Sequence, residues 1–123
     1  MEKKRYRIIV VEDDKHVLNF LVNTLKQKEF MVEGAANGKE ALEKINKVKP
    51  DLLVTDGIMP EINGFELCRI LRAGESTKDI PIIFCSASEP TNLKEKGGKA
   101  DIYLHKPLDA DELYTAVDQL LGL

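Results

Sequence analysis

Five short, strongly apolar runs alternate along the chain with stretches of helical spacing, and that alternation predicts an α/β fold. The runs are nearly continuous rather than alternating apolar with polar, which is the pattern of strands covered on both faces in a parallel sheet. Each run ends on polar or charged residues, so side chains capable of chemistry should collect at one rim of that sheet. The chain has 123 residues. That length suits one domain, residues 1–123, and is enough to bury a real core.

The first strand is expected over residues 6–11, where Ile8, Ile9, Val10 and Val11 are consecutive, and it runs into Glu12-Asp13-Asp14. Helical spacing follows at once, with Val17, Leu18, Leu21, Val22 and Leu25 on one broad face and Asp14 placed as the N-cap. A shorter strand over residues 30–36 precedes Asn37-Gly38, which supplies turn and cap. The next helix carries Ala41, Leu42, Ile45 and Val48, and Pro50 closes it. The third strand, residues 51–55, delivers a single carboxylate, Asp56, before Gly57 and Pro60 end regular structure.

A helix over about 65–71 offers Phe65, Leu67, Cys68 and Leu71 to the core, and residues 73–79 form a polar connection. Residues 80–85 make a fourth strand, with Pro81 near its start, where a missing donor is tolerated. The fifth covers 101–104 and stops at His105-Lys106-Pro107. The last helix begins near Asp109 and shows Leu113, Ala116, Val117, Leu120 and Leu121 at helical spacing. Between the fourth and fifth strands, residues 89–98 hold one large apolar residue, Leu93, and the pair Gly97-Gly98. A helix needs an apolar face to dock and loses about 1 kcal/mol for an internal glycine, so this fourth helix should be short or irregular.

Right-handed crossovers between parallel strands lead to a flavodoxin-like doubly wound sheet of order 2-1-3-4-5. Its ligand site lies at the carboxyl ends of the strands, where the order reverses between the first and the third. Glu12 and Asp13 end the first strand and Asp56 ends the third, so these acids should meet.

Lysine and arginine number 18 against 21 acidic residues, for a net charge of -3. That balance gives no basic footprint and argues against direct nucleic-acid binding. No apolar stretch approaches the ~20 residues of a membrane span, and no signal-peptide core opens the chain, so a cytoplasmic protein is expected. Cys68 and Cys85 fit that compartment as free thiols. With His16 and His105 they lack the paired spacing of a zinc site.

Three carboxylates at one rim repel one another unless positive charge sits among them. Hard oxygen ligands with retained waters describe a magnesium site. The fourth strand ends at Cys85-Ser86-Ala87, bringing a hydroxyl, and the fifth brings the Lys106 ammonium. Acids, metal, hydroxyl and lysine together describe phosphoryl transfer, with Asp56 as nucleophile and Ser86 and Lys106 serving phosphoryl oxygens. Gly57 leaves room beside the nucleophile and Ala87 beside the hydroxyl. Taken one at a time, Asp56 reads as a turn residue, Ser86 as a turn hydroxyl, Lys106 as a surface charge, and Glu12 with Asp13 as helix caps. Capping does not explain a third acid ending a neighbouring strand.

The whole chain resembles a response-regulator receiver domain of two-component signalling, similar to the chemotaxis regulators. The matching pieces are Val10-Val11-Glu12-Asp13-Asp14, Asp56-Gly57-Ile58-Met59-Pro60 with Gly64, Ser86-Ala87, and Tyr103-Leu104-His105-Lys106-Pro107. The resemblance implies that a histidine kinase or histidine phosphotransfer protein donates a phosphoryl group to Asp56. It implies that Glu12, Asp13, Asp56 and the backbone carbonyl of Ile58 surround Mg²⁺, that Lys106 contacts the phosphate, and that Ser86 and Tyr103 form the switch. It also implies a cis Lys106-Pro107 peptide. Such a chain is a switch rather than an enzyme, with only magnesium-dependent self-phosphorylation and slow self-dephosphorylation.

Two rivals compete with that reading. A non-phosphorylated interaction module of the same fold would need none of the acids, hydroxyl or lysine. An aspartyl-nucleophile phosphohydrolase usually carries a second acid two residues beyond the nucleophile, where this chain has Ile58. In the family, the segment before the fifth strand, that strand and the last helix form much of the signalling surface. The unusual content of 89–98 therefore bears on partner and dimer geometry.

Overall fold

The computed structural model describes residues 5–57, 62–87 and 99–123. The described elements run β1 (Arg7–Val11), α1 (Lys15–Lys26), β2 (Met31–Ala35), α2 (Gly38–Lys47), β3 (Leu52–Asp56), α3 (Gly64–Ala73), β4 (Ile82–Ser86), β5 (Ile102–His105) and α4 (Ala110–Leu121). All strand pairs are parallel, in the order β2-β1-β3-β4-β5. This is the doubly wound sheet the alternation predicts. The irregular helix expected over 89–98 lies outside the described residues.

The continuous apolar runs are explained by two cores, one on each face. Ile8 and Val10 of β1, Leu52 and Val54 of β3, and Ile83 and Cys85 of β4 pack on Leu21 and Leu25 of α1 and Leu113 and Val117 of α4. The intervening residues Ile9, Val11, Leu53, Ile82 and Phe84 pack on Ala41 and Ile45 of α2 and Leu67, Cys68 and Leu71 of α3. A strand of period two thus feeds both faces, and no position in β3 or β4 is left for a solvated side chain.

Caps fix where the helices begin. The Asp14 carboxylate accepts from the amides of His16 and Val17, Asn37 from Glu40, Asn63 from Glu66, and Asp109 from Glu112. Strand limits differ modestly from expectation. The β4 strand starts at Ile82, two residues late, just after Pro81, which has no amide to give; the Ile82 amide itself donates to the Asp101 carboxylate at 2.8 Å. At their far ends β3 includes Asp56 and β4 includes Ser86, so both reach the rim within the ladder. The α3 helix runs two residues past Leu71 and so includes Arg72.

Candidate phosphoryl-acceptor site

Register carries the polar strand ends to one place. Val11 pairs with Thr55, Asp56 with Cys85, and Ser86 with His105, so residues 12, 56, 86 and 106 share the carboxyl rim. The Glu12 amide donates to the Ala35 carbonyl at 3.0 Å, and the Lys106 amide to the Ser86 carbonyl at 2.8 Å. The backbone is therefore anchored on both sides of the acids.

Glu12 is 2 % exposed and Asp56 9 %. Burial at these values is costly for a carboxylate unless it is paired. The Lys106 Nζ lies 2.6 Å from Glu12 Oε1 and 3.2 Å from Asp56 Oδ1, bridging the two. Glu12 Oε2 also accepts from the Asp14 amide at 3.1 Å, and Asp56 Oδ1 from the Gly57 amide at 2.8 Å. Burial pushes the Glu12 carboxyl above its ordinary value despite the Lys106 bond. For Lys106, burial alone would lower the ammonium, but the bond to Glu12 and the charges of Asp56 and Glu12 outweigh it and hold it above the usual range.

Among the described residues, one cation, Lys106, does not balance the site. Carboxylate oxygens of Glu12, Asp13 and Asp56 lie within 4.8 Å of one another, with Asp13 exposed to solvent. Like charges about 4 Å apart repel by ~4 kcal/mol at an effective dielectric of about 20. Among the described residues, three acids around one lysine leave negative charge at an open rim. Oxygen donors, excess negative charge and solvent on one side fit a hard divalent cation that keeps some of its waters.

Two glycines let the rim close. A Cβ on Gly64 would strike the Asp56 carbonyl oxygen, and the Gly64 amide donates to the Gly57 carbonyl at 3.0 Å. A Cβ on Gly57 would sit 2.8 Å from the Phe84 ring and 3.7 Å from Ser86 Oγ. The expectation that Gly57 leaves open room beside Asp56 is corrected: the position its Cβ would take is met by the Phe84 ring, so the glycine is needed for that ring to pack. Phe84 was not singled out in the sequence, where it reads only as a strand aromatic.

Glu12, Asp13, Asp56, Ser86 and Lys106 are brought together as their strand ends predict. Ile58 lies outside the described residues. Tyr103 lies on the α3 side of the sheet, its ring 5.8 Å from Phe84 and its hydroxyl accepting from the Ala100 amide at 3.2 Å. The Lys106-Pro107 peptide is cis. Beside the rim, His16, Val17, Phe20, Ala87, Lys106 and Pro107 line an apolar cavity of about 520 Å³. No helix among the described residues is long and apolar enough to cross a membrane.

A doubly wound sheet whose carboxyl rim gathers three acids, a hydroxyl and a lysine defines the class to which the chain belongs. The family model of the response regulator receiver domain matches residues 8–118. The chain belongs to that family, whose members are switches of two-component signalling. It is 39% identical over 117 residues to response regulator MprA of Mycobacterium ulcerans, a match covering 94% of this chain and 50% of that protein. The chain thus spans about half the length of the curated relatives it matches first. A putative response regulator from Chloroflexus aurantiacus is similar in structure, with a TM-score of 0.90 and 32% identity, covering 98% of this chain and 100% of that one. The receiver domain of a Pseudomonas aeruginosa sensor histidine kinase, with a magnesium ion coordinated in its active site cleft, shares the fold. Its TM-score is 0.89 at 24% identity, over 98% of this chain and 100% of that one.

Proposed function

We propose that residues 1–123 form one receiver domain whose Asp56 accepts a phosphoryl group from a histidine kinase or histidine phosphotransfer protein. The observation that carries this reading is the Lys106 ammonium bridging Glu12 and Asp56 in a cluster that remains negatively charged. An Asp56 carboxylate oxygen attacks phosphorus, the bond from phosphorus to the donor's imidazole nitrogen breaks, and the nitrogen leaves with the bonding pair. Lys106 supplies fixed positive charge for the phosphoryl oxygens, and Ser86, whose Oγ lies beside Gly57, donates to one of them. Glu12, Asp13 and Asp56, with the Ile58 carbonyl that the family resemblance implies, would hold magnesium, which would supply further positive charge for the phosphoryl oxygens. The apolar cavity beside Lys106 gives a protein donor a surface next to the acceptor.

The aspartyl phosphate carries about -1.5 to -2 charge where the Asp56 carboxylate carried a single negative charge, and it brings a bulkier set of acceptor oxygens to the rim. Ser86 moves toward it and Tyr103 turns, altering the surface of β4 and β5 that a cytoplasmic protein target reads. The chain has no turnover substrate; its own chemistry is self-phosphorylation and slow loss of the phosphate. An apolar side chain at position 58 offers no hydrogen bond to a hydrolytic water, so Ile58→Asn should shorten the phosphate lifetime. An unchanged lifetime would count against that part. The whole reading is tested by incubation with acetyl phosphate and Mg²⁺ followed by intact-mass measurement. One added phosphoryl group is expected, and none when a chelator replaces magnesium from the start; none on the intact chain with magnesium, or turnover of a phosphate ester, would overturn it.

A further inference from the structure

The α3 helix reaches both ends of the sheet. Its first residue, Gly64, packs on the turn after Asp56, and its last turn carries Arg72. The Arg72 guanidinium donates to the carbonyls of Ile80 at 2.7 Å and of Lys78 and Lys99 at 2.9 Å, and to the Asp101 carboxylate at 2.9 Å. The same Asp101 oxygen accepts from the Ile82 amide at 2.8 Å, and the Asp101 amide donates to the Ile82 carbonyl at 2.9 Å. One planar cation, with donors in a fixed fork, therefore fixes the chain entering β4 and the chain entering β5.

Ala100 lies between the two clamped residues, Lys99 and Asp101. Its amide is the group that donates to the Tyr103 hydroxyl, at 3.2 Å. The Tyr103 ring meanwhile rests on Phe84, the ring that fills the space beside Gly57. Tyr103 is thus held at two points, one reaching the acceptor turn and one reaching Arg72. If Tyr103 turns away from Phe84, its hydroxyl leaves an amide that the clamp does not allow to follow. Without the clamp, residues 99–101 could travel with the hydroxyl and the turn would meet less resistance.

We propose that Arg72 is a positioning residue for Tyr103: by gripping Lys99 and Asp101 it fixes the Ala100 amide and so sets the resting orientation of the tyrosine. The signalling consequence rests on the reading of Tyr103 as part of the switch, but the orientation is a property of the chain before phosphorylation.

The test uses the whole chain labelled with fluorotyrosine, without any phosphodonor, with Tyr103→Phe to assign the Tyr103 signal against Tyr6 and Tyr114. Arg72→Gln should shift the Tyr103 fluorine signal and speed hydrogen exchange at the Ala100 amide about tenfold, the scale of one lost hydrogen bond. Tyr6 and Tyr114 should keep their signals. Asp101→Asn, which keeps an oxygen for the Ile82 amide, should move Tyr103 in the same direction by less. Combined with Tyr103→Phe, the effect of Arg72→Gln on Ala100 exchange should be smaller than on the native background. An unmoved Tyr103 signal, additive exchange effects, or equal shifts at all three tyrosines would overturn the proposal. Because no phosphodonor is present, these outcomes do not depend on whether Asp56 accepts phosphate, and the acetyl phosphate assay does not depend on them.

Discussion

Lys106 and Arg72 stand at opposite ends of the β4–β5 pair and do opposite work. Arg72 faces one carboxylate and three carbonyl oxygens, so its charge is balanced and its donors are used within the chain. Lys106 faces Glu12 and Asp56 at 2.6 and 3.2 Å, and Asp13 lies beside those two acids, so among the described residues its end of the sheet stays negative. A satisfied cluster holds a shape. An unbalanced one, kept buried by a rigid scaffold, is ready for a charged ligand. The contrast predicts that the two ends respond differently to substitution and to divalent cations.

The largest effect is expected at the unbalanced end. Lys106→Met leaves the buried Glu12 carboxylate without its cation and should cost about 3 kcal/mol in chelator, since a buried charge that loses its partner is strongly destabilising. Added magnesium should raise the melting temperature of this variant more than that of the native chain. Equal responses would mean that Lys106 and magnesium do not offset the same negative charge.

Next comes the junction between the two ends. Gly64→Ala drives a methyl group into the Asp56 carbonyl, and overpacking of this kind costs about 1–3 kcal/mol. Denaturant unfolding should show that loss, and acetyl phosphate should label the variant more slowly because the Asp56 turn has moved. A variant that labels at the native rate would separate α3 from the proposed acceptor, Asp56.

At the balanced end, Arg72→Gln should cost about 1–2 kcal/mol, as expected when a few hydrogen bonds from a charged donor are partly replaced by water. Its melting temperature should respond to magnesium as the native chain does. A larger response would mean that the two ends share charge.

The smallest effect is expected from the thiols, which belong to neither cluster. Burial pushes Cys85 up to about 12 and Cys68 up to about 11. Both folded-state values lie above those of free thiols, so the stability gained from keeping them protonated is fully present at neutral pH. It falls as pH rises from about 9 through these values. A thiol-specific reagent near neutral pH should therefore react only at the rate of unfolding. Rapid labelling without unfolding would show that one of them is open to solvent.

The rim was legible because its chemistry is carried by side chains at strand ends. Glu12, Asp56, Ser86 and Lys106 each follow an apolar run, and a parallel sheet has only one edge to which such ends can go. Asp14, Asn37 and Asp109 were legible for a similar local reason, since a capping side chain lies beside the helix it caps. The Arg72 clamp was not. Three of its acceptors are backbone carbonyls of residues 78, 80 and 99, which no residue type marks. Phe84 was hidden for another reason: its place under Gly57 depends on strand register, and a spacing argument does not supply register. The bond from the Ile82 amide at the start of β4 to the Asp101 carboxylate, nineteen positions away in sequence, was likewise not marked by any local pattern. Ile58 and the segment 89–98 fall outside the described residues.

At the unbalanced end of the sheet, Asp56 and no other acid should take the phosphoryl group. Borohydride reduction of the acetyl phosphate-treated chain, followed by peptide mass mapping, tests this directly because it marks an acyl phosphate at the residue that carried it. The mark should fall on the peptide position of Asp56 and vanish in Asp56→Asn. A mark on Glu12, Asp13 or any other carboxylate of the native chain, or one that persists in the variant, would contradict the account.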